Sequence, residues 1–380
     1  MDGDESLSPS TGFPLLGRAY SDRFPVDHEL NSYFVETYEL EDELGAGGYG
    51  FVMTARHRTG GHETAVKFII KDKVPAHAWV EDESFGRIPS EVMLVSLLEH
   101  DNIVRCLDIF EDSHYFYLVQ ELHGTPWVSR KKAQHQELAV PSLTPSSSCS
   151  TLDSLPLLTP HPTDTAIWES QLEQFRNGQK QPENLQPLPP PAFGRRASHD
   201  LFECIEQSRH KRLPEPQARY IFAQVIEAVH YLEQLGITHR DIKDENLVID
   251  SDLKVKLIDF GSAVVSDPEQ ERPYYQMFYG TTAYAASEIL QRKKYQAPPA
   301  EIWTLGVLLS FLLTGSSPFL SEDDAIHGRV SIRESIATTL SEDCLSLMQR
   351  CLEPDPSKRA DIYEVRAHPW LQGTLDIECL

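Results

Sequence analysis

His239-Arg240-Asp241-Ile242-Lys243-Asp244-Glu245-Asn246 is followed, after two short β-patterned runs, by Asp259-Phe260-Gly261. An Asp and an Asn five residues apart, then a second Asp 13 residues on, is a spacing suited to phosphoryl transfer. Asp241 is placed to orient a hydroxyl, and Lys243 to neutralise the group in transit. The Asn246 amide and the Asp259 carboxylate can hold Mg²⁺ against nucleotide phosphates. Alone, the Asp, Lys and Asn would more often be a solvated turn. The Asp-Phe-Gly that closes the strand pattern of residues 254–258 reverses that reading.

Upstream, Gly45-Ala46-Gly47-Gly48-Tyr49-Gly50-Phe51-Val52 matches G-x-G-x-x-G-x-V. Glycines there let backbone amides approach phosphate oxygens, and Val52 can cover a base. A dinucleotide-binding turn has the same letters but needs a helix after the glycines. Here residues 51–55 continue as strand, which favours a hairpin lid. Lys67 lies in the strand pattern of residues 64–70, and Glu91 opens the one helical pattern of this region, residues 89–98. A strand Lys held by such an acid can reach α- and β-phosphates. Further strands are expected at residues 38–44 and 115–120.

The 34 Lys and Arg against 58 Asp and Glu leave a formal charge of −24. That argues against nucleic acid or an anionic membrane as partner and suits basic peptides. A hydrophobic content of 40% is enough for a substantial core. The six cysteines form no CxxC or Cys/His cluster, so free thiols in a reducing compartment, cytoplasm or also nucleus, are expected. The acidic N-terminus has no apolar signal-peptide run. The apolar run 302–313 is too short to span a bilayer and predicts a buried helix.

Residues 1–37 are expected to be a disordered N-terminal tail, and residues 372–380 a C-terminal tail. Residues 124–197, dense in Pro, Ser and Thr, read as a disordered insert, because such a segment buries too little apolar surface to offset chain entropy. Beyond it, Ile221, Val225, Val229 and Leu232 recur at helical spacing after Pro214 and Pro216.

Together these motifs resemble the eukaryotic protein kinases over residues 38–371, apart from the insert. The resemblance implies an α+β bilobal fold. A small antiparallel β-sheet N-lobe (38–120) with one helix meets a hinge (121–123) and a helical C-lobe (198–371). It also implies protein serine/threonine kinase activity with ATP and Mg²⁺, since Lys243 after the catalytic Asp241 is the serine/threonine-type loop. Gly45, Gly47, Gly50, Val52, Ala65, Lys67, Glu121, His123, Asp200 and Val248 would contact ATP. Asn246 and Asp259 would bind metal, with Asp241, Lys243, Lys67 and Glu91 catalytic. Asp200, Glu245 and Thr281 would meet a protein substrate whose Ser or Thr lies near basic residues. Arg359 would pair with Glu288.

Within that family the chain is most similar to the kinase domain of PAS-domain-containing protein kinases, in the calcium/calmodulin-kinase-like group. The residues that carry this are Lys67-Phe68-Ile69-Ile70-Lys71-Asp72-Lys73, Trp79-Val80-Glu81-Asp82, Glu99-His100-Asp101-Asn102-Ile103, Leu107-Asp108-Ile109-Phe110-Glu111, His239 through Asn246, and Ile258-Asp259-Phe260-Gly261-Ser262-Ala263. Residues 1–37 are too short for a PAS domain, so a sensory role is not implied.

Three positions depart from the family pattern. Ala286-Ser287-Glu288 replaces Ala-Pro-Glu, Glu301 stands where an Asp is usual, and Met277 stands where many members carry an activating Thr. Activity without activation-loop phosphorylation is therefore expected. At the end of the insert, Ser198 after Arg195-Arg196-Ala197 is a candidate phosphosite or, equally, the N-cap of the next helix. Residues 187–191 are a candidate SH3-type ligand for a regulatory partner. The alternative function is a pseudokinase-type scaffold or binding module. Pseudokinases usually lose the strand Lys, the catalytic Asp or the metal-binding Asp, and here Lys67, Asp241 and Asp259 are all present.

Overall fold

The computed structural model describes residues 13–82, 86–124, 200–208, 210–267 and 270–375. A short helix, α1 (Ser32–Thr37), leads directly into β1 (Tyr38–Ala46). β2 (Gly50–His57) and β3 (Glu63–Ile70) follow, then a separate hairpin, β4 (Trp79–Asp82) with β5 (Gly86–Pro89). Next come α2 (Ser90–Leu97), β6 (Cys106–Glu111) and β7 (Tyr115–Glu121). The main sheet is antiparallel, in the order β1-β2-β3-β7-β6. The expected strands and the helix all form. The β4–β5 hairpin and β6 carry too mixed a pattern to be read as strands from periodicity alone.

Side chains alternate across a strand, so the register assigns faces. Val52 pairs with Lys67 and Thr54 with Ala65, which puts Val52, Ala65 and Lys67 towards the second lobe. Phe51, Met53, Val66, Phe68, Tyr115 and Tyr117 turn the other way into a buried cluster. Gly50 is required by close approach: a Cβ there would lie 1.9 Å from the Phe68 carbonyl oxygen.

The outer cluster overturns the expectation of a disordered tail through residue 37. Residues 13–37 cross the sheet and bury Phe24 (1% exposed) and Phe34 (0%) among its aromatics. Phe24 meets Phe51 and Phe68 edge-on at 5.0 Å, and Phe34 meets Tyr117 at 5.0 Å. Asn31 caps α1 by accepting from Phe34 N, and its amide donates to Glu111 O. Few apolar residues among Ser, Pro, Gly and acids suffice, because each is large and buries completely.

The second lobe starts with α3 (Leu201–Gln207) and α4 (Glu215–Gln234). Pro214 and Pro216 open α4, the apolar stripe Ile221, Phe222, Val225, Val229 and Leu232 is buried, and Gly236 with φ of 70° ends it. Two short antiparallel pairs follow, β8 (Ile237–Thr238) with β11 (Val264–Val265) and β9 (Leu247–Ile249) with β10 (Val255–Leu257). A third joins β12 (Tyr274–Tyr275) to β13 (Tyr295–Gln296). α5 (Ser287–Leu290) and α6 (Ala297–Thr314) come next, then α7 (Glu322–Ile326), α8 (Glu334–Ala337), α9 (Glu342–Cys351) and α10 (Ile362–Arg366). α6 is long and apolar enough to cross a membrane by length and composition, yet it is the core of this lobe, with Trp303, Leu305, Leu308 and Leu309 all fully buried.

Residues 372–375 of the C-terminal tail are docked, because Arg219 donates to Gln372 O and to Thr374 Oγ1, both at 2.8 Å. One helix-cap expectation needs correction. The N-cap of α3 is Asp200, whose carboxylate accepts from Glu203 N at 2.8 Å, and not Ser198. Ser198 as an acceptor, the SH3-type stretch and residues 125–197 of the insert lie outside the described residues.

Candidate active site

β3 and α2 bring Lys67 and Glu91 together as an ion pair, and Lys67 Nζ also lies 3.0 Å from Asp259 Oδ1. Residues 192 positions apart thus share one cluster between the lobes. Burial alone would depress the Lys67 ammonium, but Asp259 and Glu91 outweigh it and hold its pKa above the ordinary value. The Lys67 charge in turn lowers Asp259 to about 2, so the acid is ionised at neutral pH.

Asp259 has φ of 65°, in the left-handed region that a non-glycine residue rarely adopts, and accepts from Gly261 N through Oδ1. Arg240 has φ of 67°. Such backbone costs about 1–3 kcal/mol per residue and persists only where neighbours fix it. For Arg240 the fixing group is Glu301, whose Oε2 accepts from Arg240 N at 2.6 Å. The longer acid therefore reaches the loop. Burial raises its pKa to about 8.

The Asp241 carboxylate is held from three sides. Thr281 donates to Oδ1 from its amide at 3.0 Å and its hydroxyl at 2.9 Å, Asn246 Nδ2 donates to Oδ2 at 3.0 Å, and Lys243 Nζ lies 3.3 Å from Oδ2. Lys243 also donates to Thr281 Oγ1 and pairs with exposed Glu245 at 3.1 Å. The loop is locked to the Asp259 strand through the backbone. Ile258 N donates to Asn246 O at 3.0 Å, and Ile258 O lies 3.1 Å from Nε2 of buried His239.

Gly45 lies near the end of β1, paired with Val52, and Gly47 sits in the turn that follows; no atom lies within 4 Å of where a Cβ would stand on either. Val52, Ala65 and Val248 are half-buried, each between buried neighbours on its strand. Asp200 bridges to Val248 at the rim, and burial raises its carboxyl to about 6. The side chains of Glu121 and His123 are turned to other work. Glu121 Oε1 lies 2.8 Å from both Arg105 N and Lys256 Nζ, and His123 Nε2 lies 2.9 Å from Lys254 O. A ligand at those two positions would meet main chain.

The other departures are also satisfied. Ser287 is fully buried and donates to Ile326 O at 2.8 Å, a bond that Pro could not make. Glu288 and Arg359 form two bonds of 2.9 and 2.7 Å, with Arg359 over the Trp303 ring. The sequence pattern missed Gln224 and Asn102. Asn102 donates to Gln224 Oε1 and Val255 O, while Gln224 donates to Leu253 O and accepts from Val255 N. They pin the β9–β10 hairpin that carries the site. A Gln on the apolar stripe of α4 was the available signal.

The protein kinase domain matches residues 38–140 and 195–371. The chain is 31% identical to the PAS domain-containing serine/threonine-protein kinase of Mus musculus over 98% of this chain and 22% of that protein. It is 30% identical to the serine/threonine-protein kinase PSK2 of Saccharomyces cerevisiae over 87% of this chain and 23% of that protein. With the serine/threonine-protein kinase SIK1 of Mus musculus the identity is 28%, over 88% and 33% respectively. The chain thus spans a third or less of the length of these relatives. With the cleft geometry and a match over most of its length, the chain belongs to the protein kinase domain family.

Proposed function

We propose that the chain is a protein serine/threonine kinase that transfers the γ-phosphoryl group of ATP to Ser and Thr hydroxyls. The observation that carries this reading is Lys67 held between Glu91 and Asp259 in the cleft. Lys67 steadies the α- and β-phosphates. Gly45 and Gly47 meet no internal packing demand, which suits a backbone left bare for phosphate approach. Val52, Ala65 and Val248 give the base an apolar seat. Asp241 orients the accepting hydroxyl, much as it already accepts from the Thr281 hydroxyl, and Lys243 neutralises the moving charge. Positioning and charge supply most of the rate.

Mg²⁺ fits the oxygen donors present. Asn246 spends its amide nitrogen on Asp241 and so offers a cation its oxygen, and Asp259 stays ionised. Those two residues would hold the ion, which neutralises phosphate charge when bound.

Activity without activation-loop phosphorylation belongs to the same reading. Arg240, the cation beside that segment, already donates to Ser262 O at 2.6 Å and lies over the rings of Tyr275 and Tyr279 at 5.3 and 5.2 Å. Tyr295 OH ties the segment through Met277 O at 2.9 Å. Asp200 and Glu245, with the charge of −24, support peptides with basic flanks. The cytoplasm or nucleus is the proposed setting.

A peptide-array assay with Mg·ATP, wild type beside Asp241→Asn, tests the reading. Phosphate on Ser/Thr peptides from the wild type alone is expected. Near-equal incorporation by both proteins would overturn it.

A further inference from the structure

His28, Asp112 and His114 meet away from the cleft, where the N-terminal segment crosses the turn between β6 and β7. One ring nitrogen from each histidine and a carboxylate oxygen of Asp112 all lie within 4.8 Å of one another. His28 is 5% exposed, stacked on Phe24 and edge-on to Tyr115. Its Nε2 is shielded from solvent and lies 3.1 Å from Asp112 Oδ2, a contact whose direction is poor for a hydrogen bond. A buried ring nitrogen whose one polar neighbour is a carboxylate at that distance can share a cation with it.

Asp112 is prepared to share one. A carboxylate has about four lone-pair sites. Oδ1 accepts from His114 N at 2.7 Å and Tyr115 N at 2.9 Å, and Oδ2 accepts from Tyr117 OH. The remaining site is on Oδ2, the atom beside His28. Backbone and phenol thus orient the carboxylate as outer contacts orient metal ligands. His114 is exposed, with Ser113 Oγ 2.8 Å from its Nδ1 and its ring edge-on to that of His28 at 5.2 Å.

Zinc with ligands at about 2.0–2.2 Å in tetrahedral array sets donor atoms roughly 3.3–3.6 Å apart. The 3.1 Å between His28 and Asp112 is already near that spacing. His114 would close by about 1.5 Å at most, within reach of a side-chain rotation. Two imidazoles and a carboxylate suit Zn²⁺ and not Mg²⁺ or Ca²⁺, which prefer all-oxygen shells.

We propose that His28, Asp112 and His114 form a Zn²⁺ site that clamps the N-terminal segment onto the outer face of the five-stranded sheet. One coordination position stays open to water. The clamp joins a segment that precedes β1 to a turn some 80 residues later, so its effect is on the stability of that seam. It does not depend on the kinase reading.

The test is calorimetric titration of the metal-stripped full chain with zinc chloride, wild type beside His114→Ala. Because His114 is exposed, the metal-free variant is expected to melt within about 1 °C of the wild type. The wild type should bind zinc at micromolar concentration, and His114→Ala at least about tenfold more weakly. Zinc should slow amide exchange of residues 24–31 in the wild type and not in the variant. Equal zinc affinity in the two proteins would assign the ion to other groups and overturn the proposal. So would no binding by the wild type below about 100 μM, the weak end for a three-ligand site.

Discussion

On the cleft face of the five-stranded sheet Val52, Ala65 and Lys67 stand half-buried, facing a second lobe that supplies Asp259 and Asp241. On the opposite face Phe51, Phe68, Tyr115 and Tyr117 close over Phe24 and Phe34 with almost no exposed area. The same three central strands serve both faces, one residue out of phase. The cleft face brings charged groups of the two lobes together around Lys67. The outer face is filled by aromatic rings, each with several neighbours. Substitution on the first should therefore remove chemistry and spare stability, and substitution on the second should do the reverse.

The largest effect that would break this contrast concerns Asp259. In Asp259→Asn, peptide phosphorylation should fall by about 10³-fold, the scale on which a charge-organising group is lost. Thermal unfolding should shift little, because Lys67 keeps Glu91 as its partner. A melting curve that collapses together with the rate would show that the cleft cluster holds the lobes together.

Phe24→Ala is the counterpart on the other face. Losing a fully buried phenylalanine costs about 3–5 kcal/mol. Denaturant unfolding should show that loss, while kcat/KM of the folded fraction stays within about threefold of wild type. An unchanged unfolding midpoint would mean that residues 13–31 do not contribute to the lobe's core.

How much was readable follows the same division. Lys67, Glu91, Asp241, Asn246 and Asp259 were legible because each sits in a short motif with its own spacing, and the motifs follow one another in a fixed order along the chain. The strands flanking Gly45 to Gly50 and the stripe on α4 were legible from period 2 and period 3.6 alone. The seating of Phe24 and Phe34 was not, because two aromatics in a polar stretch have no period. Their partners, Phe68, Tyr115 and Tyr117, lie up to 91 positions away. β6 escaped for a related reason. Its exposure is intermediate at five successive positions, so no alternation marks it as a strand. Gln224 and Asn102 were hidden because a buried polar network follows no rule of spacing, only mutual satisfaction.

Glu301 tests the contrast inside the second lobe, where a buried acid serves the site's geometry. Its pKa is raised by burial to about 8, from an ordinary carboxyl value near 4.5 when unfolded. The folded state thus binds more protons between those values, and stability must decline as pH rises through that window. Glu301→Gln keeps an acceptor for Arg240 N and cannot titrate. Between pH 5 and 8 the wild-type melting temperature should fall by about 5–10 °C more than that of the variant. Parallel curves would mean that Glu301 is ionised throughout and paid for elsewhere in the fold.

The smallest effect is sought at the rim. Asp200 is partly buried, caps α3 and has its carboxyl raised to about 6 by burial, with Glu203, Asp244 and Glu245 nearby to hold it there. As pH falls through that value the carboxyl gains a proton and loses its attraction for a basic side chain on the peptide. The ratio of kcat/KM for a peptide with an upstream Arg to one with Ala should therefore shrink below pH 6. An exposed charge pair is worth about 0.2–1 kcal/mol, so a change of roughly two- to fivefold is expected. Asp200→Asn should show the reduced ratio at every pH, because the amide still caps α3 but carries no charge. If the variant keeps the pH-dependent preference, the acid that reads the basic residue is Glu245 or another carboxylate of this rim. The cleft's acidity would then act as a field spread over several groups, unlike the outer face, where each ring has an assigned place.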